Sequence, residues 1–111
     1  MSFGRMNTSI QIKAIIRTKD TEGFVSDTET LLAEVHAYRE GRHGTEKWVS
    51  LAAFSDATDL FRFRVIPGVS VTTEQFLVCD SERFNIISVE NVKGRGMYLE
   101  VLAKKVVSSI G

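Results

Sequence analysis

Residues 83–107, RFNIISVENVKGRGMYLEVLAKKVV, decide the fold. In the second half of the stretch Met97, Leu99, Val101 and Ala103 fall on one face. Tyr98, Glu100, Leu102 and Lys104 fall on the other. That is the period-two alternation of a half-buried strand. The first half, residues 84–90, is nearly all apolar on both faces, as in a strand packed deeper inside. Between the halves, Gly94 and Gly96 supply the positive φ values that a hairpin connection needs. Two antiparallel strands alone are marginal in water. The rest of the chain must therefore close a sheet around this hairpin.

The 111 residues read as a single domain, with residues 1–8 loose. A composition of 43% hydrophobic and 25% charged residues is that of an ordinary soluble protein. The lone Cys79 forbids an internal disulfide and fits folding in a reducing cytoplasm. The opening MSFGRMNTS carries no apolar signal region, and the apolar runs are too short for a membrane-spanning helix. Formal net charge is zero, which argues against tight, non-specific DNA binding, because few counterions would be released.

Working outward, Ile10, Ile12 and Ala14 alternate with Gln11 and Lys13, a strand through about Arg17. Residues 19–23 are a turn signal. Residues 20–38 are acidic, with no Lys or Arg among them. Their second half has good helix formers, yet Ala33, Val35 and Ala37 alternate with Glu34, His36 and Tyr38, which suits a strand equally well. Residues 41–44 are a break, and Thr45 caps a short helix with Trp48, Leu51, Ala52 and Ser55 on one side. Phe61, Phe63 and Val65 alternate with Arg62 and Arg64 in a clear strand that Pro67–Gly68 ends. Residues 75–79 form a short strand, and residues 80–82 turn into the central hairpin. Without long helices between strands, the expected fold is mainly β: a small antiparallel barrel of about six strands with one short helix and extended loops.

The sequence offers no catalytic constellation. Cys79 sits in a strand pattern without a nearby His and reads as a small buried hydrophobe. His36 and His43 match no zinc spacing. The glycine–cation clusters at residues 41–44 and 93–96 do not follow a strand and open a helix, so they read as turns rather than phosphate loops. The carboxylates of residues 20–34 read as a solvated acidic face. No metal and no cofactor is expected. Trp48 reads as a core contact from the helix or as an interface anchor. Arg62 and Arg64 read as a solvated strand face or a subunit contact.

The order of elements resembles the head–tail adaptor proteins (head-closure, head–tail joining) of tailed phages and prophages. The features that match are Gly4–Arg5, Ile10-x-Ile12, Asp20-x-x-Gly23 and the strand Ala33-Glu34-Val35-His36-Ala37. After these come the break Arg39-Glu40-Gly41-Arg42, the helix from Thr45 and Phe61-Arg62-Phe63-Arg64. The closing hairpin matches best. The family often has Trp where Leu32 stands, and Pro where Tyr38–Arg39 stands. The resemblance implies a β-barrel with one helix and makes the residues before Tyr38 a strand. It implies a non-enzymatic virion part, made in the bacterial host cytoplasm, that forms a ring below the portal or adaptor, closes the DNA-filled head and docks the tail. Partners would be further copies of the chain, the portal or adaptor, and a tail protein. DNA would be only passing cargo, and no membrane is involved.

Tyr38, Arg39, Arg42, Trp48, Arg62 and Arg64 are the candidate contacts with subunits or partners. Asp20, Glu22, Asp27 and Glu29 are candidates to face the channel, where carboxylates would repel the duplex and let it slide. Two other readings remain. One is another phage assembly protein, such as a tail terminator or tail-tube relative. The other is a small oligonucleotide-binding barrel, which would need exposed aromatics among cations.

Overall fold

The computed structural model describes residues 6–41, 56–94 and 96–107. Six strands form there: β1 (Thr8–Lys19), β2 (Val25–Gly41), β3 (Asp59–Arg64), β4 (Phe76–Cys79), β5 (Glu82–Asn91) and β6 (Tyr98–Lys105). They close an antiparallel barrel in the order β1-β2-β3-β6-β5-β4. The helix expected from Thr45 lies outside the described residues.

β2 resolves the helix-or-strand ambiguity. Ala37 is fully buried in the barrel, Val35 packs against the same core, and Glu34 and His36 face solvent. Pairing with β1, from Thr8–Ala37 to Lys19–Val25, overrides the local helix propensity. The core is built from Ile10, Ile12, Phe61, Phe63, Leu77, Cys79, Phe84, Ile86, Val101 and Ala103. Phe61 and Phe84 meet edge to face, with centroids 5.3 Å apart and planes at 75°.

The central hairpin forms, but differs from a simple alternating pair in three ways. First, β5 is apolar on both faces because of a bulge. Ile86 pairs with Ala103 and Ser88 with Leu102, which leaves Ile87 as the extra residue. Phe84, Ile86 and Val89 then pack on the core, while Ile87 packs on a separate cluster of Ala57, Leu60 and Leu102. Second, the centre of β6 is not half-buried: Glu100 and Leu102 are buried as well as Val101 and Ala103. Third, Met97 precedes β6 and is 58% exposed. Gly94 and Gly96 do take positive φ, at 62° and 68°.

Strand lengths are unequal, and this positions the surface that matters. β4 pairs with β1 only at Gln11–Lys13, and β3 pairs with β2 only from Tyr38 to Gly41. Past Lys13 and before Leu31, β1 and β2 pair only with each other among the described residues. Six residue pairs, Ala14–Thr30 to Lys19–Val25, continue as a two-stranded ribbon beyond the barrel. At the usual rise per residue this projects roughly 20 Å. By register, the β3–β4 loop and the β5–β6 turn lie at the same barrel end, since Phe76 pairs with Lys13 and Arg64 with Tyr98.

Two outcomes follow for stability. Replacing Phe84 by Ala should cost about 3–5 kcal/mol in urea unfolding, because the ring fills the barrel against Phe61. The two-residue β4–β5 turn puts Asp80 and Ser81 at φ 51° and 65°, a left-handed pair that favours Asn–Gly. The double change Asp80→Asn, Ser81→Gly should therefore raise the unfolding free energy by roughly 1 kcal/mol.

Candidate assembly surface

The ribbon's tip is held by one side chain. Asp20 Oδ1 accepts the amides of Glu22 at 2.9 Å and Phe24 at 2.8 Å. Its own amide donates to the Phe24 carbonyl at 2.9 Å, and its carbonyl accepts from Gly23 at 3.1 Å. Gly23 closes the turn at φ 88°, a value that suits glycine. The result displays two apolar residues, Phe24 at 68% and Val25 at 58% exposure.

The two faces of the ribbon differ. Alternation puts Lys13, Ile15, Arg17 and Lys19 on one face, opposite Leu31, Glu29, Asp27 and Val25. Arg17 Nε lies 3.1 Å from Asp27 Oδ1. Glu29 receives Lys13 at 3.9 Å and Arg83 at 3.7 Å. The other face is uncharged: Ala14, Ile16 and Thr18 opposite Thr30, Thr28 and Ser26. Ile15, Ile16 and Leu31 are all exposed. The acidic stretch is therefore neutralised largely from β1. Residues 13–30 hold three cations (Lys13, Arg17, Lys19) against four carboxylates (Asp20, Glu22, Asp27, Glu29).

At the ribbon's base, where β2 has not yet met β3, lies an apolar groove. Met6, Val35, His36, Arg64, Val65, Ile66 and Pro67 line a cavity of about 390 Å³. A second, of about 310 Å³, continues past Pro67 to Gly96, Met97 and Tyr98. Arg64 stands exposed at the rim, over the Tyr98 ring at 5.8 Å.

The other candidate residues fall at separate places. Arg39 lies across one end of the barrel. Its Nε donates to Asp59 Oδ2 at 2.9 Å, its Nη1 to Cys79 Sγ at 3.6 Å, and its guanidinium sits 5.1 Å from the Phe84 centroid. Asp59 is 6% exposed. Burial pushes the Cys79 thiol up, against the pull of Arg39. On the barrel's outer side, Arg62 Nη2 donates to the buried Glu100 at 2.5 Å and lies 5.8 Å from the Tyr38 ring. The Tyr38 hydroxyl donates to Glu40 at 3.4 Å, and burial followed by Glu40 raises its pKa. Arg42, Trp48 and His43 lie outside the described residues. Among the described residues no three His, Cys, Asp or Glu side chains gather to hold a metal ion, and no helix is long and apolar enough to cross a membrane. Phe61 and Phe63 are fully buried and cannot stack on bases. The projecting ribbon and its groove carry no local signal in the sequence, because they arise from pairing lengths that depend on the partner strands.

A family model for the phage head completion protein matches residues 1–106. The chain belongs to this phage head completion family. It is a virion structural component with a head completion role in the head–tail connector. Among solved structures it is similar in fold to protein SF1141 from Shigella flexneri 2a, with a TM-score of 0.74 at 19% identity, covering 95% of this chain and 96% of that one. It is also similar in fold to a chain of the virion of a native gene transfer agent particle, with a TM-score of 0.61 at 23% identity, covering 92% and 96%. No curated protein matches the chain.

The tip anchor is testable alone. Asp20→Ala should speed amide exchange of Glu22 and Phe24 by roughly tenfold or more, while the amides of β3 and β6 stay protected, because the ribbon opens without the barrel.

Proposed function

We propose that this head completion protein works as one subunit of a ring below the portal or its adaptor, where it closes the DNA-filled head and gives the tail a surface to dock on. The observation that carries this reading is the β1–β2 ribbon. It displays Ile15, Ile16, Phe24, Val25 and Leu31 to solvent beyond a barrel that is otherwise closed. An exposed apolar arm on a stable body is an assembly device, since covering it releases its hydration. The chain acts through shape and strand edges and performs no chemistry. It is made in the host cytoplasm and joins the particle after packaging, with DNA as passing cargo.

The carboxylates serve this reading in two ways. Asp27 and Glu29 keep the ribbon's charged face neutral and straight through Arg17 and Lys13. Glu22, with Asp20, leaves the tip acidic. Tyr38 and Arg62 brace the outer barrel wall, and Arg39 fixes one barrel end.

The test uses DNA-filled, tailless heads from a lysate lacking this gene. Added protein should bind the heads in several copies, keep DNA inside and permit tail attachment. A variant with residues 15–29 replaced by a tight Asn–Gly turn should fold, as read by circular dichroism, but complete heads at least roughly tenfold less efficiently. Heads that hold DNA and accept tails equally well without the protein would overturn the reading.

A further inference from the structure

The chain carries a knob and a socket of matching chemistry. The knob is the ribbon tip, where the Asp20 turn fixes Phe24 and Val25 in an outward pose with Glu22 beside them. The socket is the groove at the ribbon's base, with an apolar wall of Val35, Ile66 and Pro67 and the cation of Arg64 at its rim. Arg64 has no carboxylate partner within the described residues, and neither has Glu22 a cation. The knob cannot reach the socket of its own chain, because six paired residues of extended ribbon, roughly 20 Å, hold them apart.

We propose that the socket's occupant is the ribbon tip of a second copy of this chain: Phe24 and Val25 enter the neighbour's groove, and Glu22 pairs with the neighbour's Arg64. A knob and a socket on different surfaces of one chain make a head-to-tail contact, and such contacts form rings when the rotation closes. The groove also borders the stretch of β2 that precedes its pairing with β3 at Tyr38. There the incoming tip meets unpaired backbone as well as an apolar wall. Acidic tip and basic rim set the direction, since two tips or two rims would repel. This contact rests on the ring reading above and specifies which surfaces meet in it.

Cross-linking and charge reversal test it on the whole chain. The double variant Phe24→Cys, Pro67→Cys, oxidised at high protein concentration or on tailless heads, should give a ladder of dimers, trimers and larger species. Each single variant should stop at dimers, since the native Cys79 is buried and out of reach of a second chain. An internal disulfide is excluded by the separation, which far exceeds the roughly 7 Å limit between Cα atoms. Glu22→Arg and Arg64→Glu should each weaken self-association roughly tenfold, and the two together should restore it. Multiple copies on the heads without a ladder would overturn this contact and leave the ring standing. A single copy per head would overturn both. Charge reversals that fail to rescue one another would overturn the pairing of Glu22 with Arg64.

Discussion

β1 meets β4 through three residue pairs, Gln11–Val78, Ile12–Leu77 and Lys13–Phe76, and on this short seam the barrel closes. The seam sits at the inner half of β1, where Ile10 and Ile12 are fully buried. Closure satisfies backbone groups that an open sheet would leave as edges. Because β4 is four residues long and β1 is twelve, closure ends early on this side. β2, at seventeen residues, likewise outruns the six of β3. The ribbon is what remains of the two long strands once their short neighbours stop. Its position, its length and the notch at its base all come from that mismatch.

Buried charge is handled by pairing. Asp59 and Glu100 are the buried acids among the described residues, and each faces an arginine of the barrel wall, Arg39 and Arg62. A buried carboxylate without its cation would cost several kcal/mol, so these arginines are fixed by folding before any partner arrives. Arg39 adds a second duty, lying over Phe84 and Phe61 and covering the apolar interior at one end. Arg64 differs from both. It is exposed, rests on Tyr98 and remains available to a partner.

Much of this was legible in the sequence. The closing hairpin, its glycines and the arginine-bearing strand after residue 58 show plain alternation, and alternation reports the side a residue faces. The two bulges did not show. Leu32 and Ile87 are extra residues set by what the neighbouring strand needs, so a periodic reading counts them as ordinary positions. For the same reason β5 reads as apolar on both sides, when in fact one register changes to another at Ile87. The acidic stretch misled differently. Read along β2, Asp27 and Glu29 are an uncompensated cluster; read across to β1, each has a cation. Charge balance in a sheet is a property of cross-strand neighbours, which lie ten to sixteen residues apart here and are invisible to a local window.

The ribbon and the barrel divide stability from assembly. A two-stranded ribbon is marginal alone, and this one exposes its apolar residues instead of packing them. Its ion pairs lie in water and contribute little each. The barrel does not need it, since every core residue but Ile10, Ile12 and Ala37 comes from β3 onward. The ribbon therefore opens locally at low cost while the barrel stays folded. Any partner that covers Phe24, Val25 and Ile16 stabilises the ribbon by the free energy it gains from the contact. A chain built this way keeps its body fixed and leaves its arm as the part whose stability a partner can change.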